Sequence, residues 1–585
     1  MSDKEQETAL FLKKEKTMNK FSALEYVRPS VETTEQQLQQ QIEVLKNAKS
    51  YEEALGAFMK RQEILGHWRT METLSSIRHD MNTLDPFYTA EKEYFNESSA
   101  KLSVVLKEFN ELFVHNAYRD EFEKEFGDLL FKQLEADIKT NDKCILEEKI
   151  QEGKLGTEYA MSAASCKTMF KGEECNFYGL LKHMLSLDRT ERKEAMQAWS
   201  SLYASVAPDL EKQYIELCNI RRKEAEKLGF DSYVDMIYLV RHRFDYDAKD
   251  VENFRNAIAK YVVPVTAKLY DLQRKRLGFD TLQYYDEQVR FAQGNSRPYG
   301  TTQEKVDSAR KLYSELSPET KEFFNFMCDH ELFDLETRPG KHLGGYMTRL
   351  ADYKAPFIFS NFNGTNQDIQ VLTHEAGHAF EGYVAMRGQK LDEYTHSTAD
   401  IQEVHSMGME FFTEKWYDLF YTGNGGDYYR YEHLLDSFTN MCYLVSVDEF
   451  QHKVFEGPQP DAMGLRKIWK AIEEKYLPYR HYDGDAFLES GGFWMQKQHV
   501  FLYPFYYVDY ALAMTCALQF YLRMRKDFEG TWKDYLKLCQ LGGSLGYKDL
   551  LKAVNLKNPF EEETLKEVSE GVMEVLEEME KKLGL

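Results

Sequence analysis

The sequence has little proline, no paired cysteines and no long apolar run, and each absence excludes a class of protein. With 13 prolines and 33 glycines among 585 residues, the chain is neither a low-complexity linker nor a collagen. Its eight cysteines include no C-x-x-C pair, so neither a zinc knuckle nor a redox motif is encoded. Scattered cysteines of this kind are typical of buried thiols in a reducing compartment.

Signals for membranes and secretion are also missing. No stretch of 18 uncharged apolar residues occurs, so we expect no membrane span. The N-terminal sequence MSDKEQE has no apolar h-region, which predicts a cytoplasmic protein. The 74 Lys and Arg against 97 Asp and Glu give a net charge of −23, which disfavours nucleic acid or an anionic membrane as a partner. Nothing in the sequence decides between a monomer and a homodimer.

The pattern of apolar residues predicts a mostly helical chain. The first 200 residues are rich in helix formers, and Pro29 and Pro86 are their only prolines. Apolar residues there recur every three or four positions, as in stacked amphipathic helices. At this length we expect two lobes, which we place at 1–205 (a helical N-terminal region) and 206–585.

One segment reads differently. Residues 344–362 are rich in Phe, Ile and Tyr and form the best strand–turn–strand candidate in the chain. Pro356 within it indicates an edge strand. A helix is predicted from about Asp368 to Met386, directly after this hairpin. The predicted fold is therefore mostly α, with one small β-sheet beside that helix.

The predicted helix contains the motif H-E-x-x-H, formed by His374, Glu375 and His378. Residues four apart lie on one face of a helix, so both imidazoles can reach one metal ion. Glu375 projects about 100° away, beside the ion, where a base can take a proton from water. The pentapeptide alone is also compatible with two ordinary surface histidines.

A third ligand is available further along the chain. A catalytic zinc needs three protein ligands and an open position. Glu403 follows His374 by 29 residues, and Ser406 and Glu410 share its helical face at spacings of three and four. One acid can bind the ion, while Ser406 and Glu410 can orient the ligands from behind. The alternative is an ordinary solvated acidic face.

With these motifs in view, the sequence resembles the thimet oligopeptidase / oligoendopeptidase F family of zinc metallopeptidases. The similarity extends over seven blocks, at 341–345, 356–365, 372–380, 403–410, 480–482, 491–494 and 499–511. The segment 504–510 favours the bacterial oligoendopeptidase F-like branch.

The resemblance implies a fold and an activity. Members have two helical lobes around a deep channel, with zinc on its floor, and hydrolyse short unfolded peptides internally. Here 1–205 would be the lid lobe and 206–585 the catalytic metallopeptidase domain, with one Zn²⁺ per chain. The zinc ligands would be His374, His378 and Glu403, and the base would be Glu375.

The resemblance also implies residues that stabilise the developing oxyanion or hold the peptide. His499 would face the substrate, and Tyr503, Tyr507 and Tyr510 would supply phenol groups. The spacing from His499 to Tyr503 is one residue shorter than in the mammalian pattern, so the choice among Tyr503, Tyr506 and Tyr507 stays open. The spacing of Tyr503, Tyr507 and Tyr510 puts them on one face if the segment is helical, although such a stripe is often core packing.

A peptide substrate can also be held by a sheet edge, which accepts it as a further strand. We expect Gly344, Gly345 and Tyr346 to lie at that edge, and the alternative is that the hairpin only packs the core.

Two other functions remain open. One is a dipeptidyl carboxypeptidase-like exopeptidase, and the other is a non-catalytic helical peptide-binding protein with a structural zinc. Structural zinc sites usually have four protein ligands, and only three are found.

Overall fold

The computed structural model describes residues 18–585, so the first 17 residues of the predicted N-terminal region lie outside the described residues. The fold is mostly helical with two small sheets, and the predicted fold class is confirmed. The α-helices of residues 18–585 are α1 (Val31–Asn47), α2 (Tyr51–Met81), α3 (Pro86–Val114), α4 (Arg119–Phe126), α5 (Leu129–Thr140), α6 (Leu146–Ser165), α7 (Phe177–His183), α8 (Arg189–Lys227), α9 (Tyr233–Val240), α10 (Ala248–Ala257), α11 (Val263–Leu277), α12 (Thr302–Leu316), α13 (Pro318–Asp329), α14 (Gln367–Gly388), α15 (Ala399–Phe412), α16 (Gly425–Glu456), α17 (Ala462–Tyr476), α18 (Ala486–Glu489), α19 (Gln498–Leu502), α20 (Tyr507–Met524), α21 (Phe528–Leu541), α22 (Tyr547–Ala553) and α23 (Glu562–Leu583).

The strands are β1 (Thr168–Phe170), β2 (Glu173–Cys175), β3 (Phe333–Glu336), β4 (Tyr346–Leu350) and β5 (Ala355–Phe362). A short π-helix at Ile258–Val262 joins α10 to α11. Short 3₁₀ turns lie at Phe21–Ala23, Lys143–Ile145, Tyr284–Asp286, Ala351–Tyr353, Asp392–Thr395, Glu414–Leu419 and Gly492–Gln496. Over residues 18–585, no helix combines the length and the apolar character that crossing a bilayer requires.

The described residues bury two separate hydrophobic cores. The smaller one is built from α1 to α5, between Val31 and Leu134, with Leu391 and Tyr394 packed into it. The larger one includes α8 and nearly everything that follows. The predicted boundary between residues 205 and 206 falls inside α8, which is continuous. We therefore keep the division into two lobes as a proposal, with the smaller core as the N-terminal lobe.

The larger sheet has three strands in the order β3-β5-β4. β4 runs antiparallel to β5, so the predicted strand–turn–strand is confirmed. The prediction that Pro356 marks an edge strand is wrong, because β5 is the central strand and β4 is the edge. Pairing with β3 begins only at Ile358, so the missing N–H of Pro356 breaks no bond to β3. The β1–β2 hairpin forms a second sheet that we did not predict.

The sheet leads directly into α14 and fixes its position. The Asp368 carboxylate accepts hydrogen bonds from the backbone N–H groups of Asn363 and Gly364, at 2.9 and 3.0 Å, and so closes the turn between β5 and the helix. Further along, Arg349 on β4 forms a 2.5 Å ion pair with the buried Glu381 on α14. The edge strand and the C-terminal half of α14 are therefore held side by side.

Candidate active site

Two helices bring the predicted metal ligands together. His374 and His378 lie on α14, and Glu403 lies on α15, which packs against it. The Nε2 atoms of His374 and His378 lie 3.4 and 3.5 Å from the same oxygen of Glu403, Oε2. One donor atom of each residue lies within 4.8 Å of the other two. Two imidazoles and one carboxylate at these separations suit one zinc ion with a fourth position open.

A second layer of polar groups holds these side chains. The Oε1 atom of Glu410 lies 2.7 Å from Nδ1 of His374, and its Oε2 atom lies 2.6 Å from Nε2 of His433 on α16. Ser406 donates a 2.9 Å hydrogen bond to Oε2 of Glu403. Ser406 and Glu410 thus contact the candidate ligands as the helical spacing predicted, and such contacts fix ligand orientation.

Two ionised carboxylates lie at this cluster. Burial opposes the charge of the Glu403 carboxylate, but hydrogen bonds from His374 and His378 outweigh it and hold its pKa well below the usual range. Burial also opposes the charge of Glu410, yet its contacts with His374 and His433 lower its pKa to about 2. Both carboxylates are therefore charged at neutral pH, which favours a divalent cation between the imidazoles.

Glu375 occupies a different environment beside the cluster. Its side chain is only 8% exposed and borders a cavity of about 1340 Å³ beside the cluster, which we call the main cavity. Burial raises the pKa of Glu375 above its usual range. A carboxyl group with a raised pKa can accept a proton and later return it, which is the property that a general base and acid needs.

The close approach of α14 and α15 depends on Gly377. A Cβ atom at this position would lie 2.5 Å from the backbone oxygen of His405 and 2.7 Å from Cα of Ser406. Backbone atoms cannot move away as the end of a flexible side chain can. The glycine between the two histidines therefore lets the helix of His374 and His378 approach the helix of Glu403.

We expect Gly377→Ala to destabilise the protein by about 1–3 kcal/mol, because the two helices must separate or strain. Thermal unfolding followed by circular dichroism measures the effect. Gly388→Ala is the matched control, since a Cβ there meets only Gln540 O at 4.0 Å, and its effect should stay within about 0.5 kcal/mol. Equal melting temperatures for the two variants would contradict the packing role of Gly377.

The tyrosines do not lie on the single helical face that their spacing suggested. α19 ends at Leu502, Phe505 has a φ of +59°, and α20 begins only at Tyr507. Tyr506 and Tyr510 line the cavity. Tyr503 is 53% exposed and, like Tyr507, does not contribute to the lining.

Tyr506 is the tyrosine that contacts the candidate ligands. Its hydroxyl group donates a 2.8 Å hydrogen bond to Oε1 of Glu403. Tyr510 stands beside it, with a ring-centroid distance of 5.0 Å. Burial raises the pKa of Tyr510, so its phenol stays protonated at neutral pH and can donate a hydrogen bond.

His499 packs among these rings. Its imidazole lies 4.9 Å from the ring of Tyr507 and 5.9 Å from the ring of Tyr506. Burial, with the charges of Lys497 and Arg241, lowers the pKa of His499 to about 4. At neutral pH it is therefore an uncharged imidazole, close to the cavity but not part of its lining.

The cavity beside the cluster has a volume of about 1340 Å³. Residues of α2 line it together with residues of β4, α14 and α15. Gly345 and Tyr346 are part of the lining, whereas Gly344 is not; its carbonyl accepts a 2.7 Å hydrogen bond from Asn361. Tyr346 stacks on Phe359 at 4.9 Å, so its ring also packs the sheet.

The comparison with family models defines the class of this protein as a metallopeptidase. The chain belongs to peptidase family M3. Residues 182–570 match the family described as "Peptidase family M3", and residues 21–141 match the "Peptidase M3 N-terminal domain". The resemblance predicted from the motifs is therefore confirmed, and the family carries a metal cofactor.

Solved structures agree over almost the whole chain. PZ peptidase A with an inhibitor is 39% identical, covers 96% of this chain and 99% of its own, and superposes with a TM-score of 0.90. A Bacillus anthracis str. Ames protein provisionally described as an oligoendopeptidase F is 39% identical over 96% and 98% of the two chains, with a TM-score of 0.85. An "Oligoendopeptidase F homolog" of Borreliella burgdorferi is 22% identical over 290 residues, and the match spans 48% of this chain and 48% of that protein.

Proposed function

We propose that this protein is a zinc-dependent endopeptidase that hydrolyses short, unfolded oligopeptides. The observation that carries the proposal is the His374–His378–Glu403 cluster, which opens into a peptide-sized cavity with Glu375 at its side. Membership of peptidase family M3 supports hydrolysis of peptide bonds. A cytoplasmic location remains a prediction from the sequence.

In this proposal His374, His378 and Glu403 hold the zinc ion. When bound, zinc would supply a Lewis acid that polarises the scissile carbonyl and makes water more acidic. Glu410 keeps the imidazole of His374 oriented through Nδ1, and Ser406 and Tyr506 hold the two oxygens of Glu403. These contacts leave the donor atoms preorganised around one point.

Glu375 moves the proton in the proposed reaction. Its carboxylate takes a proton from the attacking water and then delivers it to the nitrogen of the leaving amine. The pKa of Glu375 is raised, so its protonated and ionised forms differ less in free energy at neutral pH than those of an ordinary glutamate. This smaller difference favours the exchange of the proton. The bond that breaks is the scissile C–N bond, and the products are a free carboxylate and a free amine.

Tyr510 is the proposed donor to the oxygen that gains negative charge. It lines the cavity and its phenol is protonated, whereas Tyr506 already donates to Glu403. We assign His499 a supporting role, as a neutral imidazole that packs against the tyrosine rings. The exposed Tyr503 and the packed Tyr507 then have no contact with the reacting atoms.

Tyr510→Phe is expected to lower kcat by about 10²–10³ with little change in KM, because a donor to the oxyanion acts mainly in the transition state. Steady-state kinetics on a quenched fluorescent peptide measure both constants. Tyr503→Phe makes the same chemical change outside the cavity and should leave kcat within about twofold of the wild type. A larger loss in Tyr503→Phe than in Tyr510→Phe would overturn this assignment.

The sheet edge is the proposed site for the peptide backbone. Within residues 18–585 β4 pairs with β5 alone, so its other edge is the proposed place for one more strand, beside Gly345, Tyr346 and Arg349 of the cavity lining. Backbone hydrogen bonds of this kind are independent of side chains, which suits an enzyme that accepts many peptides.

The experiment that tests the proposal uses one peptide blocked at both ends and carrying an internal fluorophore–quencher pair. We expect the purified protein to cleave it, a chelator to stop cleavage and added zinc to restore it. A dipeptidyl carboxypeptidase-like enzyme needs a free C-terminus and would leave the blocked peptide intact. A peptide-binding protein with a structural zinc would bind it without cleavage.

The walls of the cavity also predict a limit on substrate size. α2, β4 and α14 all line the cavity, whose volume is about 1340 Å³, so an extended peptide can enter more easily than a folded domain. We expect a folded protein to be cut far more slowly than the same sequence supplied as short peptides. Comparable rates on the two would contradict the proposed preference for oligopeptides.

A further inference from the structure

A second group of metal-binding side chains lies on the β1–β2 hairpin. The hairpin turns at Lys171 and Gly172, both with positive φ, at +50° and +87°. Glu173 and Cys175 are two residues apart on β2, so their side chains leave the same face of the strand. His183 comes from the last position of α7, the next helix in the chain.

These three residues converge as the three candidate ligands of the active site do. One donor atom each of Glu173, Cys175 and His183 lies within 4.8 Å of the other two. In residues 18–585, only this group and the active-site group of His374, His378 and Glu403 bring three such donors together. None of the hairpin group lines the main cavity, so it is separate from the site of hydrolysis.

The imidazole of His183 is held in place by a carboxylate. Nδ1 of His183 lies 2.7 Å from Oε1 of Glu191, and the other oxygen of Glu191 accepts a 2.7 Å hydrogen bond from Ser186. The ring also packs edge-on against Phe170, at a centroid distance of 4.8 Å. A histidine that binds a metal commonly has a carboxylate partner of this kind, which fixes its ring.

Cys175 packs against the turn that begins α7. The side chain of Asn176 caps α7 by accepting a 2.9 Å hydrogen bond from the backbone N–H of Gly179. This turn is tight, because a Cβ on Gly179 would lie 3.2 Å from Cβ of Cys175. Cys175 is buried, and the capped turn fixes the start of α7 against it.

The neighbouring charges leave the Glu173 carboxylate available. Lys171 pairs with Glu194 at 2.5 Å, and Lys167 pairs with Glu174 at 2.9 Å. Glu173 itself forms no ion pair with any residue from 18 to 585, and its side chain is exposed. An exposed carboxylate can close over an ion that the buried thiol and the imidazole hold from below.

We propose that Glu173, Cys175 and His183 form a second divalent-cation site of the zinc class. The thiolate selects zinc or cobalt over magnesium and calcium, because the latter two prefer oxygen ligands only. The three donors account for three positions of a tetrahedral ion, and water completes the fourth. Binding deprotonates Cys175, and the proton goes to solvent.

The expected consequence of this site is a link between two elements of the fold. An ion there joins β2 to the end of α7, two elements that the chain otherwise connects through a short turn. A ligand that binds only the folded state stabilises it by an amount that grows with the logarithm of the free ligand concentration relative to Kd, and so raises the melting temperature. We therefore expect zinc to stabilise the protein even when the active-site ligands are removed.

Cobalt substitution tests the proposal, because sulfur–cobalt bonds absorb strongly in the near ultraviolet and the active-site cluster contains no cysteine. Titration of the metal-free full-length protein with Co²⁺ is expected to show this band, with two ions bound per chain. Cys175→Ser should lose the band and one ion, and retain zinc-dependent peptide cleavage. Cys166→Ser, the same change at another buried cysteine near the hairpin, should keep the band.

Glu173→Gln provides a variant that leaves the fold unperturbed, since the side chain is exposed. We expect it to weaken cobalt binding at the thiolate site by about tenfold or more. The proposal is overturned if the wild-type protein shows no thiolate–cobalt band, if the band survives Cys175→Ser, or if Glu173→Gln binds cobalt as tightly as the wild type.

Discussion

Replacing Glu375 with Gln is expected to lower peptide cleavage by about 10³-fold or more while the metal content stays near that of the wild type. The amide keeps the size of the carboxylate but cannot accept the proton of the attacking water, and a positioned base typically contributes 10²–10⁴-fold. Glu375 is not one of the three converging donors, so metal binding should persist. Peptide kinetics and elemental analysis of the same dialysed sample give the two numbers.

Glu414→Gln is the matched control. Burial also raises the pKa of Glu414, but its side chain does not line the cavity. We expect this variant to cleave peptide at a rate within a few-fold of the wild type. If Glu375→Gln retains wild-type cleavage, or if Glu414→Gln loses as much, Glu375 is not the base.

Glu403→Ala is expected to abolish both metal retention and cleavage. The carboxylate faces both imidazoles at 3.4 and 3.5 Å, and among residues 18–585 no other carboxylate forms a metal-binding group with both histidines. The variant keeps the two histidine ligands but loses one ligand and one negative charge. Dialysed Glu403→Ala protein should therefore contain far less than one zinc at the active site, and cleavage should fall below detection.

This measurement is best made in a Cys175→Ser background, so that only the active-site ion is counted. Glu410→Gln serves as the comparison, because Glu410 contacts His374 without belonging to the three donors. It should weaken zinc binding by about 10–100-fold and leave the site filled at high zinc. An unchanged zinc content in folded Glu403→Ala protein would remove Glu403 from the ligand set.

The part of the site that follows from helix geometry could be predicted from the sequence. Residues four apart share a helical face whatever surrounds them, so His374 and His378 were predicted as a pair, and Ser406 and Glu410 as neighbours of Glu403. The helix α14 and the β4–β5 hairpin could also be predicted, because the residues that indicate each of them lie close together in the sequence.

Contacts between distant helices could not be predicted in this way. A spacing of 29 residues does not say that Glu403 reaches His374, since the approach depends on how α15 crosses α14 at Gly377. His433 was missed because it lies on a different helix from Glu410, and the two residues are 23 positions apart in the sequence. The sequence offered Glu403 as a candidate beside Glu410, and the resemblance to a known family favoured Glu403 as the third ligand.

The tyrosines show how one break in a helix changes a site. A continuous helix would have put Tyr503, Tyr507 and Tyr510 on one face. Pro504 was the available signal, because helices usually end at or before the residue preceding a proline. The turn at Phe505 rotates the chain so that Tyr506 reaches Glu403.

The most direct test of the account is an anomalous diffraction map recorded at the zinc absorption edge from crystals of the zinc-loaded protein. The account predicts a peak about 2.0–2.2 Å from one nitrogen of His374, one nitrogen of His378 and one oxygen of Glu403. A zinc-loaded crystal with no peak among these three side chains, or with Glu403 turned away from the ion, would contradict it.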